Sequence, residues 1–224
     1  MKPAVEGQAT EEKPKQKRDP VRTKARILSA ATQEFSRHGL GGARVERITK
    51  RAGANKRMLY YYFGGKELLF VAVLEKAYED FGNAQLELHL DAFGPIESMR
   101  RLMAFLWDYF LDNPEFIRLL NSENLHQAKH LKRSTRVHEL ASHILAILGG
   151  VVRRGQAEGV FRPDVDINQL YITVTGVGYF YLSNRYTLST LLSMDMLTPE
   201  ARAARLAHIT EVVVSYLAAK PALA

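Results

Sequence analysis

The chain has 224 residues, 46% of them hydrophobic, with no cysteine and a formal net charge of +7. That is enough for one large domain, or a small one joined to a medium one, around a real core, and it excludes disulfides, thiolate nucleophiles and cysteine-ligated zinc. No apolar run approaches the ~18 residues of a membrane span, and the polar start MKPAVEGQATEEKPKQKRDP lacks the apolar stretch of a secretory signal, so a cytoplasmic protein without a membrane partner is expected.

Residues 1–20 carry Pro, Lys, Glu and Gln and almost no large apolar side chain, which predicts a disordered basic tail. From residue 22 the pattern is helical: Ile27, Leu28, Ala31 and Phe35 recur at spacings of three and four, and HGLGG (38–42) is expected to stop that helix. Val45, Ile48 and Ala52 mark a second, short helix. AGAN is a tight turn whose Asn55 caps a third helix at about 56–62. Lys66 opens a fourth, with Leu68, Leu69, Ala72, Val73, Ala77 and Phe81 inward. Further helices are expected from Pro95, over 114–129, over 132–157 with an interruption or strain at Gly149-Gly150, over 166–185 and over 199–219. No segment alternates as a strand would, so the fold class is all-α: a three-helix head over 21–66 and a larger helical domain over 67–224.

Charge separates the same two parts. Residues 1–66 hold 16 Lys and Arg against 6 Asp and Glu, a net of +10, whereas residues 67–224 hold 15 against 18, a net of −3. A basic head on a mildly acidic body suits a nucleic-acid module joined to something else; a solvated charged surface is the alternative. Two short helices joined through Gly53 form a helix-turn-helix, in which the second helix enters the DNA major groove. On that helix, at 100° per residue, Leu59, Tyr62 and Phe63 turn inward. Lys56, Arg57, Met58, Tyr60 and Tyr61 turn to the outside, where cations suit phosphates and tyrosines suit thymine methyls and base edges. Lys66, at the start of the fourth helix, is placed to hold a phosphate.

ILSAATQEFSRHG, VERITKRAGANKRMLYYYF and GKELLF, taken as an ordered set, resemble the DNA-binding domain of the tetracycline-repressor (TetR) family of bacterial regulators. The likeness covers residues 22–70 in detail and the helical remainder in outline. It implies DNA contacts from Arg44, Asn55, Lys56, Arg57, Met58, Tyr60 and Tyr61, with Lys66 on phosphate. It also implies a homodimer on a pseudo-palindromic, double-stranded operator, released by a small-molecule inducer, with no cofactor. Two positions depart from the family pattern. Ala43 stands where a capping Thr is usual, which leaves Gly42 as the cap and Arg44 in the phosphate role, and Gly65 stands where Ser is common.

The same resemblance suggests an inducer pocket in the second domain, apolar with a few polar groups. Its candidates are Trp107, Phe110, Phe116, Leu120, Asn121, Asn124, Tyr171, Thr175, Tyr179 and Phe180, each of which also suits an ordinary core. The dimer surface is expected on the last two helices, with Leu206, Ile209, Val213 and Leu217 as its stripe or, alternatively, as internal core. Glu123, His126 and His130, at i, i+3 and i+7 of one helix face, form the one metal-like set; a solvated polar face is the simpler reading, and no metal site is assigned. No serine–histidine–aspartate set, phosphate loop or metalloprotease motif is present, so an enzyme is not expected. A constitutive or architectural DNA binder without an inducer is the alternative function.

Overall fold

The computed structural model describes residues 19–219. Residues 1–18 of the expected basic tail lie outside the described residues. Ten α-helices account for the architecture among the described residues: α1 (Pro20–Gly42), α2 (Val45–Ala52), α3 (Lys56–Phe63), α4 (Lys66–Leu86), α5 (Pro95–Asp112), α6 (Pro114–Leu125), α7 (Thr135–Ala157), α8 (Ile167–Ser183), α9 (Arg185–Leu192) and α10 (Pro199–Leu217). The all-α expectation holds.

Helix starts follow local chemistry. Asp19, Asn55, Ser134, Asp166 and Thr198 each accept backbone N–H groups at the first turn of their helix, satisfying donors that no helical carbonyl reaches. Proline opens α1, α5, α6 and α10, where its missing N–H costs nothing. Gly53 ends α2 in the left-handed region at φ 58°, a conformation that glycine adopts without steric cost.

HGLGG breaks the first helix as expected: Gly39 takes the non-helical φ 62° and ψ 177°, and a short helical turn follows the kink to Gly42. Three expectations are corrected. α7 runs unbroken through Gly149-Gly150, because its packing on α4, α5 and α8 overrides the weak propensity of glycine. α6 stops at Leu125 rather than 129. Gln127 and Ala128 both take φ 56° there, and the Glu123 carboxylate draws the chain back by accepting the N–H groups of His130 and Leu131 at 2.7 and 2.9 Å. α9 is an additional short helix with no buried residue.

Two cores result. The head core joins Ile27, Phe35, Ile48, Leu59 and Phe63 to Leu69, Phe70, Val73 and Leu74 of α4, and Leu119 of α6 reaches it. The body core is built from Met99, Leu102, Leu106, Trp107 and Phe110 of α5 with partners on α6, α7, α8 and α10. α4 belongs to both, so head and body share a helix rather than a linker. At the far end Gly155 admits the Phe161 ring so closely that a Cβ would lie 2.1 Å from it. That contact seats the short Phe161–Ala218 bridge that ties the first residue after α10 to the loop after α7.

Candidate nucleic-acid interface and ligand cluster

The reading helix is positioned by burial. Leu59 and Phe63 sink into the head core, Asn55 Oδ1 accepts Met58 N–H at 2.9 Å, and Gly64 closes the helix by donating to Tyr60 O at 2.8 Å. What remains outward is the expected face: Tyr61 is 82% exposed, Tyr60 51%, and Arg57 and Arg44 are exposed beside them. Arg22, Lys24 and Arg26 of α1 and Lys50 and Arg51 of α2 extend a field of exposed cations on the head.

Four of the expected contact residues are held differently. Met58 is half-buried and packs against the head core rather than facing outward. The Asn55 side chain is committed to its cap. Lys56 pairs with Glu46 of α2 at 2.5 Å on the exposed surface, a weak tie that a phosphate can replace. Lys66 donates to the Ala43 carbonyl at 2.8 Å and is only partly exposed, so it braces the α1–α2 corner.

That corner has a further brace that sequence reasoning missed. α2 is capped at Arg44, not Gly42, and no side chain at its own start makes the cap bond. Instead Glu34 of α1, only 1% exposed, accepts Arg44 N–H at 3.1 Å and Arg47 Nε–H at 2.6 Å, while Arg47 Nη2 donates to Gly42 O at 2.7 Å. In a capping box the carboxylate comes from the third helical residue; here that residue is Arg47, and α1 supplies the carboxylate. Burial pushes the Glu34 carboxyl up, but the Arg44 N–H with the Arg47 hydrogen bond and charge outweigh it, so its pKa lies below the usual carboxylate value. The bonds span ten and thirteen residues, and no local spacing reveals them.

In the body, the candidate ligand residues divide. Trp107, Phe110 and Phe116 are buried, and Phe110 and Phe116 stack at 6.2 Å. Tyr179 O–H donates to Asn121 Oδ1 across α8 and α6. The Thr175 hydroxyl is buried among these groups. Tyr171 lies beside Thr175, and burial raises its pKa. Tyr78 of α4, not foreseen, joins them. Burial pushes its phenol up to about 12, with Tyr171, Tyr179 and Glu123 adding to the effect. Two candidates fall away: Asn124 is exposed and donates to Leu120 O at 3.0 Å, and Phe180 is 56% exposed.

The raised Tyr78 pKa has a measurable consequence. Unfolded, the phenol loses its proton near pH 10, before the folded one does, so above pH 10 the native chain holds more protons and stability falls as pH rises. Thermal unfolding between pH 9 and 12 should show a steepening loss that Tyr78→Phe reduces. An unchanged slope in the variant would contradict this.

The expected dimer stripe is internal. Ile209, Val213 and Leu217 are buried in the body core, and Leu206 packs against it. The metal-like set does not lie on one helix face. His126 and His130 lie beyond the end of α6. Glu123 and His130 form a buried pair, with Oε2 and Nδ1 2.7 Å apart, and the His126 ring nitrogen meets Ser122 O at 2.7 Å. Among the described residues no group of three His, Asp or Glu side chains is arranged to hold a metal, and no helix is long and apolar enough to cross a membrane.

Comparison with known proteins agrees with this geometry. Residues 27–73 match the family described as bacterial regulatory proteins, tetR family, and residues 95–213 match the tetracyclin repressor-like C-terminal domain. The chain is 42% identical over 193 residues to the HTH-type transcriptional repressor NicS of Pseudomonas putida, covering 86% of this chain and 91% of that protein. It is 35% identical over 150 residues to the HTH-type transcriptional repressor SCO4008 of Streptomyces coelicolor, covering 66% and 74%. A tetR-family regulatory protein from Rhodococcus RHA1 shares the fold, with a TM-score of 0.69 at 16% identity over 89% of this chain and 98% of that one.

Proposed function

Since this chain belongs to the TetR family of helix-turn-helix transcriptional regulators, we propose that it acts as a homodimeric repressor that reads a pseudo-palindromic operator and leaves it when a small molecule enters the body. The observation that carries the proposal is the α3 face, where Arg57, Tyr60 and Tyr61 stand exposed beside Arg44 on a buried, doubly capped support. Cations fix the head on phosphates, and the tyrosine rings meet base edges and methyls. Residues 21–66 form the reading head, and 67–224 the ligand and dimer body.

Exposed apolar side chains indicate the dimer seat. Ile172 and Phe180 on α8, and Ala204, Val212 and Tyr216 on the adjacent α10, are exposed and lie at multiples of four residues. The inward stripe of α10 holds the subunit together, and this outward one pairs subunits. The inducer takes the cluster of Tyr78, Asn121, Tyr171, Thr175 and Tyr179, where the buried Thr175 hydroxyl faces the Tyr171 phenol. The cluster offers hydroxyl and amide groups among aromatic rings, which suits an aromatic ligand with hydrogen-bonding substituents.

The test is operator binding by fluorescence anisotropy on DNA flanking the protein's own gene, paired with sedimentation. The wild type should sediment as a dimer and prefer this DNA over random sequence by about a thousandfold. Phe180→Glu should give monomers and lose that preference. A tight, specific complex formed by a monomer would refute the dimer reading.

A further inference from the structure

A groove lies apart from the Tyr78–Asn121 cluster and shares no residue with it. It is a half-open groove between the C-terminal half of α4, the 3-10 turn at Leu90–Ala92 and α7, with a volume of about 590 Å³, within the range of about 300–1,000 Å³ usual for small-molecule sites. Its walls include Leu86, Ile144 and Ile147.

Two features set it apart from a packing defect. Gly82 of α4 and Gly150 of α7 both line it. Glycine inside a helix is unfavourable relative to alanine, and it is usually explained by a turn or by a neighbour that needs the space. Neither reason applies: both residues are helical, and a Cβ at either would meet nothing within 4 Å. The missing side chains leave room in the groove itself. The second feature is Gln85, another wall residue. It is 3% exposed, yet its Oε1 has no hydrogen-bond partner. A buried acceptor left unpaired is costly, and a ligand donor in the groove would relieve that cost.

We infer that this α4–α7 groove is a second small-molecule site, for a compact, largely apolar compound whose single O–H or N–H donor bonds to Gln85 Oε1. The inference does not rest on the inner cluster being the inducer site.

The probe is 2-naphthol, a fluorescent apolar phenol, titrated into the full-length protein, with 2-methoxynaphthalene as the control that cannot donate. Saturable 2-naphthol binding is expected, at least tenfold tighter than that of the methyl ether. Gly82→Leu and Gly150→Leu place side chains in open space, so they should fold with unchanged or higher Tm while weakening 2-naphthol at least tenfold. Gln85→Met should abolish the preference for 2-naphthol over its ether, and Asn121→Leu in the inner cluster should change neither. Absence of saturable binding, equal binding in the glycine variants, or a loss at Asn121→Leu instead of Gln85→Met would each overturn the inference.

Discussion

Replacing Glu123 with alanine is expected to destabilise the protein by about 3–5 kcal/mol, the range for breaking one side of a buried charged or hydrogen-bonded pair. The carboxylate and the His130 ring are both almost fully buried. One oxygen accepts two backbone N–H groups, those of His130 and Leu131, and the other meets His130 Nδ1. Alanine would leave these groups unpaired in a site that also holds the Phe70 ring edge-on to His130 at 5.2 Å. It would also release the loop whose return ends α6. Glu123→Gln keeps one acceptor oxygen and should lose less. Urea unfolding measures both, and a loss under about 1 kcal/mol for the alanine variant would mean that the loop donors find other partners.

Removing both outward tyrosines of α3, as Tyr60→Ala with Tyr61→Ala, is expected to cost about 3 kcal/mol of operator affinity, a hundredfold or more. Stability should barely change, because both rings are exposed and the support of α3 comes from Leu59, Phe63 and the two caps. The phenols carry no charge, so the salt dependence should keep its slope, whereas Arg57→Ala should lower that slope by about one. Anisotropy across a salt series separates the two. Near-native affinity in the double variant would remove α3 from the reading role.

The head was the most legible part of the sequence, because its determinants are local. Asn55 capping the next turn, Gly53 in a left-handed turn, and the division of 56–63 into Leu59 and Phe63 inside and Tyr60 and Tyr61 outside all follow from spacing. Reading failed where a distant element decides. Lys66 is diverted by a carbonyl 23 residues away. Met58 is partly covered by the head core. Glycines 149 and 150 stay helical because three neighbouring helices hold α7. On α10 two stripes are both plausible from periodicity; the more apolar one, through Ile209, Val213 and Leu217, is claimed by α5 and the body core, and only the tertiary packing reveals this. Tyr78 escaped notice because it lies off the inward stripe read on α4, and only the packing of the second half of α4 on the body brings it inside.

The cap that Glu34 lends to α2 has a consequence for how this reading unit can be exchanged. A helix-turn-helix with its own capping residues is a cassette: segment 43–64 could be cut from one protein and set into another with its ends intact. Here the cassette is incomplete, because the acceptor for its first N–H group, and the counter-charge for Arg47, belong to the preceding helix. A foreign segment carrying its own threonine cap and acidic third residue would bring a carboxylate against Glu34, and this segment moved elsewhere would arrive uncapped. Any change of operator preference by grafting, in the laboratory or by recombination, must therefore move positions 34, 44 and 47 together, and chimaeras joined between 34 and 44 should fold less stably than those joined before α1.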